Sequence, residues 1–383
     1  MKYKIETASN IRGFIKVLFE SDFDRIEFLN DKPGVEITGT KRKFLRKIFE
    51  SKFFDKLGIV QVLSHSTKYD AQITYNRFMF SNSPYYIICE NPTALFHYKL
   101  NRKNGLLARH LLPNRINDVN LRGIACISEA CRSTFSKILG IESSKIQLIY
   151  PLIKDTGYVR LPNYDRQLNC LFVSSTFVLK SGCELVEVAK ELPNVKFTFI
   201  TRITDIPSNY IHLIDTLPNI ELKEFKLSKE ELAEYYKRAD MLVHVTRQDS
   251  FGLVVLEAIK YGLPVLGSNI YAIPEMVIEG INGYLIEPRF LFFGRNNMPN
   301  PEVWNNRSET IESRYIDENI IKFLINKIKY LDEHRDVLYV LSQNSLKLSV
   351  EKFGEKKIKS QWENLICKTI NINLTQIRGG GNI

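Results

Sequence analysis

The chain has 383 residues, 44% apolar and 25% charged, a composition that excludes a fibrous or largely disordered protein and leaves room for two domains of ordinary size. No window reaches the about 18 apolar residues of a membrane span, Met1 to Lys16 is too broken by charge for a secretory leader, and six scattered cysteines without a Cys-x-x-Cys pair argue against a zinc ribbon or a disulfide framework and fit a reducing cytosol. The net charge of +10 is lopsided: residues 1–168 hold 27 Lys/Arg against 16 Asp/Glu, so an anionic partner is expected on the first half.

In chain order, Asp22 and Asp24 match an Asp-x-Asp metal pair, but they precede a strand rather than end one, so no metal is expected there. Strands are predicted over 26–29, 59–63, 71–74 and 85–89. From Lys41 to Lys56, seven basic residues flank Phe44, Leu45, Ile48, Phe49 and Phe53 at helical spacing. Such a helix either docks on an anionic membrane surface or packs its apolar face on the sheet. A strand over 123–128 leads into a helix over 129–139 with Ser128 as its cap, and 146–149 is one more strand. Residues 151–167 have no period and read as a hinge. The pattern then restarts with strands over 171–174, 195–200 and 241–245 and helices over 184–191 and 229–238, the latter capped by Ser228. Apolar strands interleaved with helices argue parallel sheets covered on both faces.

Residues 246–288 are the most informative stretch. Asp249 precedes a glycine turn, Ser250-Phe251-Gly252-Leu253, which opens an apolar helix. Backbone N–H groups at such an opening, from Ser250 to Val254, form a cradle for phosphate. Glu257 lies two turns into the helix, and Gly262-Leu263-Pro264 closes it. One carboxylate can meet a sugar and the other a ribose, with a diphosphate between them. The run continues through Ile273-Pro274-Glu275, Glu279-Gly280 and Asn282-Gly283-Tyr284-Leu285.

This succession resembles the acidic-x7-acidic signature of glycosyltransferase family 4, the retaining nucleotide-sugar enzymes of GT-B fold. The resemblance is strong over 123–288 and topologically consistent over 1–122. It implies an α/β chain of two facing Rossmann-like, doubly wound domains, with a C-terminal helix crossing back to the first. The expected divisions are 1–155 for the acceptor, 165–345 for the nucleotide sugar with an insertion near 289–316, 346–370 for the returning helices that carry Trp362, and a disordered tail over 371–383. The resemblance further implies that Glu257 holds the ribose, Asp249 the sugar, and Lys180 the diphosphate, without a metal. Uridine diphosphate is the expected carrier of the donor sugar, with guanosine diphosphate the alternative, and the acceptor is a glycan or a lipid-linked glycan.

Several positions depart from the family pattern. Asp249 replaces the usual glutamate. Ser175 stands where the family has a second, arginine cation for the diphosphate, so either Arg202 or Arg247 compensates, or the enzyme is slow, or the donor site is degenerate. Ile200-Thr201-Arg202 and Tyr271-Ala272 replace glycine-rich segments. Glu90 stands where relatives place a histidine, and is a candidate to bind a sugar hydroxyl or an amine, or to take the acceptor's proton. In the N-terminal loop Arg12 and Gly13 are expected to meet the diphosphate. Two rival readings follow from these departures: a non-catalytic protein that binds a sugar nucleotide or partner, and a sugar-nucleotide epimerase. No alternation of aromatic and basic residues suggests a nucleic-acid partner. The expected location is cytoplasmic, peripheral to the plasma membrane.

Overall fold

The computed structural model describes residues 1–9, 13–30, 52–140, 144–162, 164 and 166–371. The expected roles of Arg12, of the basic helix before Lys52 and of the tail after residue 371 therefore lie outside the described residues. The chain divides into two compact units, Met1–Lys154 with the C-terminal segment from Glu355, and Asp155–Gly354.

The first unit holds a six-stranded parallel sheet of β1 (Tyr3–Thr7), β2 (Ile26–Leu29), β4 (Ala71–Tyr75), β6 (Tyr85–Cys89), β7 (Leu121–Cys126) and β8 (Ile146–Leu148), in the order β2-β1-β4-β6-β7-β8. The short strands β3 (Val62–Ser64) and β5 (Phe78–Phe80) pair with each other beside it. The order reverses between β1 and β4, which makes a switch point. Ser128 caps the helix Glu129–Leu139 by accepting the Cys131 N–H at 3.0 Å, and Gly140 ends it at a φ of 68°. The helix Glu355–Thr369 belongs to this unit. Trp362 is buried edge-on against Phe28 at 5.9 Å. Glu363 accepts the Arg25 N–H at 2.7 Å. Gly123 lets the Leu365 side chain pack close to β7, since a Cβ there would lie 2.7 Å from the leucine methyl and push it aside.

The second unit is also a six-stranded parallel sheet, of β9 (Asn169–Ser174), β10 (Lys196–Thr201), β11 (Ile220–Glu224), β12 (Met241–His244), β13 (Val265–Ser268) and β14 (Gly283–Ile286). Its order, β11-β10-β9-β12-β13-β14, is that of a complete dinucleotide-binding sheet, with the switch point between β9 and β12. Phe172, Phe177 and Phe199 form one ring cluster with centroids 5.3 to 6.1 Å apart, over which the helix Gly182–Glu191 packs. The helix Glu318–Glu333 buries Ile320, Leu324, Ile328 and Leu331 at helical spacing. Fully burying each such side chain contributes about 1.5–3 kcal/mol before entropy is counted.

After the 289–316 segment the chain forms two helices, Glu318–Glu333 and Arg335–Glu351, which meet at His334. Two expectations are corrected. The return to the first unit begins at Glu355 and not at 346, because Arg335–Glu351 packs on the helix Leu253–Lys260, its Ser345 hydroxyl donating to Leu263 O at 3.0 Å. The hinge is not loose throughout: Arg160 is buried and donates to the carbonyls of Ala239 at 2.7 Å and Tyr236 at 2.9 Å, which fastens its second half to the second unit.

Candidate functional site

The site of the second unit lies at the switch point, where β9 and β12 feed their following turns to the same end of the sheet. After β9 a 3-10 turn, Val178–Lys180, carries Lys180. Gly182 closes that turn against the Phe177 ring, which a Cβ would approach to 2.5 Å. Ser181, between them, holds a left-handed φ of 55°. After β12 the segment Thr246–Asp249 folds on itself. The Thr246 hydroxyl donates to Gln248 O at 2.8 Å, and the Arg247 N–H donates to Leu179 O at 2.9 Å. The backbone thus ties the two turns together.

Lys180 and Asp249 meet in that tie. Lys180 Nζ donates to Asp249 Oδ2 at 2.6 Å and to Gln248 O at 2.8 Å. His244, at the end of β12, lies 3.0 Å from the same Oδ2 through Nε2. Oδ1 accepts the Phe251 N–H at 3.2 Å. Burial would raise the Asp249 carboxyl, but the Lys180 charge and the His244 hydrogen bond outweigh it and hold it well below the ordinary carboxylate range. Burial keeps His244 below its ordinary value, so it is neutral and donates Nε2–H to the carboxylate. An ammonium has three donors and a carboxylate about four acceptor positions. Each partner therefore retains one unused position.

Gly252 has a φ of 89°, which only glycine adopts without strain. It starts the helix Leu253–Lys260, and no side chain caps that helix. Leu253 and Val254, its first residues, have no intrahelical acceptor for their N–H groups. Of the predicted cradle, Phe251 drops out: its ring is buried and its N–H is taken by Asp249. Ser250 and Ser175 are half-buried on the two turns. Glu257 stands on the same helix, partly exposed, with Tyr236 donating to its Oε2 at 2.8 Å. Burial raises its carboxyl above the ordinary value. Tyr236 is itself buried and stacked on Tyr261 at 5.4 Å, so it fixes the carboxylate from below.

Of the two compensating arginines, Arg247 is excluded. It is fully buried and ion-paired to Glu184 at 2.5 Å, with both side chains at 0% exposure. Nη1 reaches Ser313 O at 3.1 Å, Nη2 also reaches Tyr315 O at 2.8 Å, and the guanidinium face lies on the Tyr315 ring at 4.3 Å. Arg247 therefore anchors the segment over 289–316. That segment is not a loose insertion. Phe292 stacks on Trp304 at 4.4 Å, Phe293 stacks on Tyr271 at 4.1 Å, and Arg307 donates to Gln248 Oε1 at 2.7 Å.

In the first unit Glu90 follows β6. Tyr75 and Tyr98 both donate their hydroxyls to its carboxylate, and its own N–H donates to Asn76 Oδ1 at 3.1 Å. Asn76, His97 and Tyr98 all have left-handed backbones, with φ of 54°, 57° and 59°. Both carboxylate oxygens of Glu90 thus already accept a phenol hydroxyl, and the Tyr98 ring is half exposed. Gly13, with a φ of 35°, opens the helix Gly13–Phe19 and is exposed. Sequence reasoning missed His244, Tyr236 and the Glu184–Arg247 pair. Only the position of His244, at a strand end just before the acidic residue, was a signal for any of them. Among the described residues no group of three or more His, Cys, Asp or Glu side chains could hold a metal ion.

Residues 184–290 match the family described as Glycosyl transferases group 1. Over 181 residues the chain is 31% identical to the N-acetyl-alpha-D-glucosaminyl L-malate synthase of Bacillus anthracis, a match covering 39% of this chain and 48% of that protein. Over 160 residues it is 29% identical to an uncharacterized 41.2 kDa protein of the cps region of Klebsiella pneumoniae, covering 38% and 43%. The chain spans about half the length of the curated relatives it matches. Among solved structures, Anabaena HepE in complex with UDP-glucose is similar with a TM-score of 0.61 at 14% identity, covering 96% of this chain and 100% of that one. WaaG, a glycosyltransferase involved in lipopolysaccharide biosynthesis, is similar with a TM-score of 0.56 at 14% identity, covering 94% and 99%. The fold is therefore the GT-B fold of two Rossmann-like domains.

Proposed function

We propose that this protein is a retaining, metal-independent glycosyltransferase of family 4. It moves a sugar from a nucleoside diphosphate to a hydroxyl of a glycan or lipid-linked acceptor. Uridine diphosphate is the preferred carrier and guanosine diphosphate the alternative. The setting is surface-polysaccharide assembly on the cytoplasmic face of a membrane. The observation that carries the reading is the Lys180–Asp249 pair at the switch point, beside an uncapped helix that bears Glu257. The match to group 1 glycosyltransferases over 184–290 supports it.

In this reading Glu257 accepts the ribose hydroxyls with the oxygen that Tyr236 leaves free. The Leu253 and Val254 N–H groups and the third Lys180 donor hold the diphosphate. The last acceptor position of Asp249 takes a sugar hydroxyl. In the reaction the bond from sugar C1 to the diphosphate oxygen breaks, and its electron pair stays on that oxygen. The acceptor oxygen bonds C1 on the same face, and its proton passes to the departing diphosphate. Hydrogen-bond donors fixed beforehand at that oxygen lower the barrier without reorganisation.

Thermal melting against UDP-, GDP-, ADP- and dTDP-sugars tests the reading. A ligand present at 100 times its dissociation constant stabilises by about 2.7 kcal/mol. Absence of any shift at millimolar concentration with all of them refutes it. Product analysis then separates a glycoside from the free sugar that an epimerase would release.

A further inference from the structure

Lys180 does not bring net positive charge to the proposed diphosphate site, because Asp249 neutralises it at 2.6 Å and His244 is held uncharged. A departing diphosphate gains charge as its bond to C1 breaks, so a second cation is needed nearby. The turn after β9 offers Ser175 where the resemblance expects that cation. Arg247 is committed to Glu184 and to the carbonyls of the 289–316 segment. Arg307 is committed to Gln248 at 2.7 Å and to Glu312 at 2.8 Å.

We propose that Arg202, one strand over, supplies the second cation to the diphosphate. This rests on the nucleotide-sugar reading of the same site. In the register of the parallel pair, Thr201 of β10 stands opposite Ser174 of β9. Arg202 is the first residue after β10, and Ser175 the first after β9. Neighbouring strands lie about 4.8 Å apart. An extended arginine reaches about 6–7 Å from its Cα by ordinary bond lengths. A guanidinium rooted on β10 can therefore occupy the space in front of Ser175. Both strands end at the same C-terminal end of the sheet from which the turns to Lys180 and Gly252 leave.

Arg202 is free to make that reach. Its side chain is 53% exposed, and it makes a loose ion pair at 3.5 Å with Asp205, three residues on. Glu224, the other nearby acid, accepts the Ile203 N–H at 3.2 Å. A surface pair of this kind contributes little, so a diphosphate can take the guanidinium from Asp205. The planar fork of arginine matches phosphate oxygens two at a time. The cation has moved sideways by one strand while the anion site stays in place.

The test moves it back. Arg202→Ser, Ser175→Arg, the double variant and Lys180→Ala are compared with the wild type by calorimetry with UDP and with uridine, which lacks the diphosphate. Arg202→Ser is expected to weaken UDP binding at least tenfold and to leave uridine binding and the melting temperature unchanged. Adding Ser175→Arg is expected to recover most of that loss. If Arg202→Ser binds UDP as the wild type does while Lys180→Ala is impaired, the Arg202 assignment falls and the nucleotide-sugar reading stands. If the wild type binds neither UDP nor GDP at millimolar concentration, both fall.

Discussion

Removing Lys180 is expected to cost stability as well as turnover, and the two losses can be separated. The Lys180 and Asp249 side chains are each 16% exposed, and their charged atoms lie 2.6 Å apart. Breaking a fully buried pair by deleting one partner costs about 3–5 kcal/mol, and exposed pairs contribute about 0–1 kcal/mol. Partial exposure, with His244 and the Phe251 N–H still holding the carboxylate, places Lys180→Ala at about 2–3 kcal/mol. For a unit of this size that lowers the melting temperature by roughly 5–10 °C. Asp249→Asn should cost a similar amount, and the double variant should cost less than the sum, with a coupling of at least about 1 kcal/mol. The sign with pH is fixed by the lowered Asp249 value. Its contribution is fully present above the ordinary value of 3.8 and is lost as pH falls through the lower folded value. The gap between wild type and Lys180→Ala should therefore be level from about pH 5 to 8 and narrow below about pH 4. Turnover by Lys180→Ala should fall at least tenfold, about 1.4 kcal/mol, with the protein fully folded at 20 °C. Additive denaturation midpoints for the two single variants would refute the pairing.

Glu257→Gln should weaken nucleotide binding by about 1.5–3 kcal/mol, read by calorimetry. Because burial raises the Glu257 carboxyl, wild-type affinity should begin to fall above the ordinary value of 4.5 as the solution is acidified, and the Gln variant should not share that fall. Asp249→Glu, although it restores the family residue, should lower both melting temperature and rate. It adds about 1.5 Å of side chain where Lys180 is already at 2.6 Å and His244 is buried; activity equal to wild type would remove Asp249 from the sugar contact. Arg247→Met strands the buried Glu184 carboxylate, so it should destabilise by about 3–5 kcal/mol and open the 289–316 segment to limited proteolysis, with Glu184→Leu partly restoring protection. Lys43, Arg46 and Lys47 reversed to Glu together should abolish salt-sensitive sedimentation with anionic vesicles, and equal sedimentation with neutral vesicles would refute the membrane role.

What the sequence determined by itself was the repeating chemistry. Apolar strands such as Tyr85–Cys89 and Asn169–Ser174 are legible because a strand buried on both faces must be apolar throughout. Capping at Ser128 and Ser228 is legible because it depends on neighbours in the chain. The Asp249 to Glu257 stretch is legible for the same reason, since turn, helix and second acid are contiguous. Strands β1, β5, β11 and β14 escaped notice: Ile220–Glu224 is an edge strand with charged residues on its open face, so its pattern is as polar as a loop. The tertiary structure alone decided the partners. Lys180 and Asp249 are 69 residues apart, and the turns after β9 and β12 bring them together because those strands are neighbours only in the folded sheet. Arg247 looked like a spare phosphate ligand, but burial beside Glu184 made it a structural anchor. Glu90 looked like a free carboxylate, but Tyr75 at the end of β4 and Tyr98 close on it. Local pattern follows from backbone periodicity. Which charge meets which is set by loop closure between distant segments, and the sequence carries no period for that.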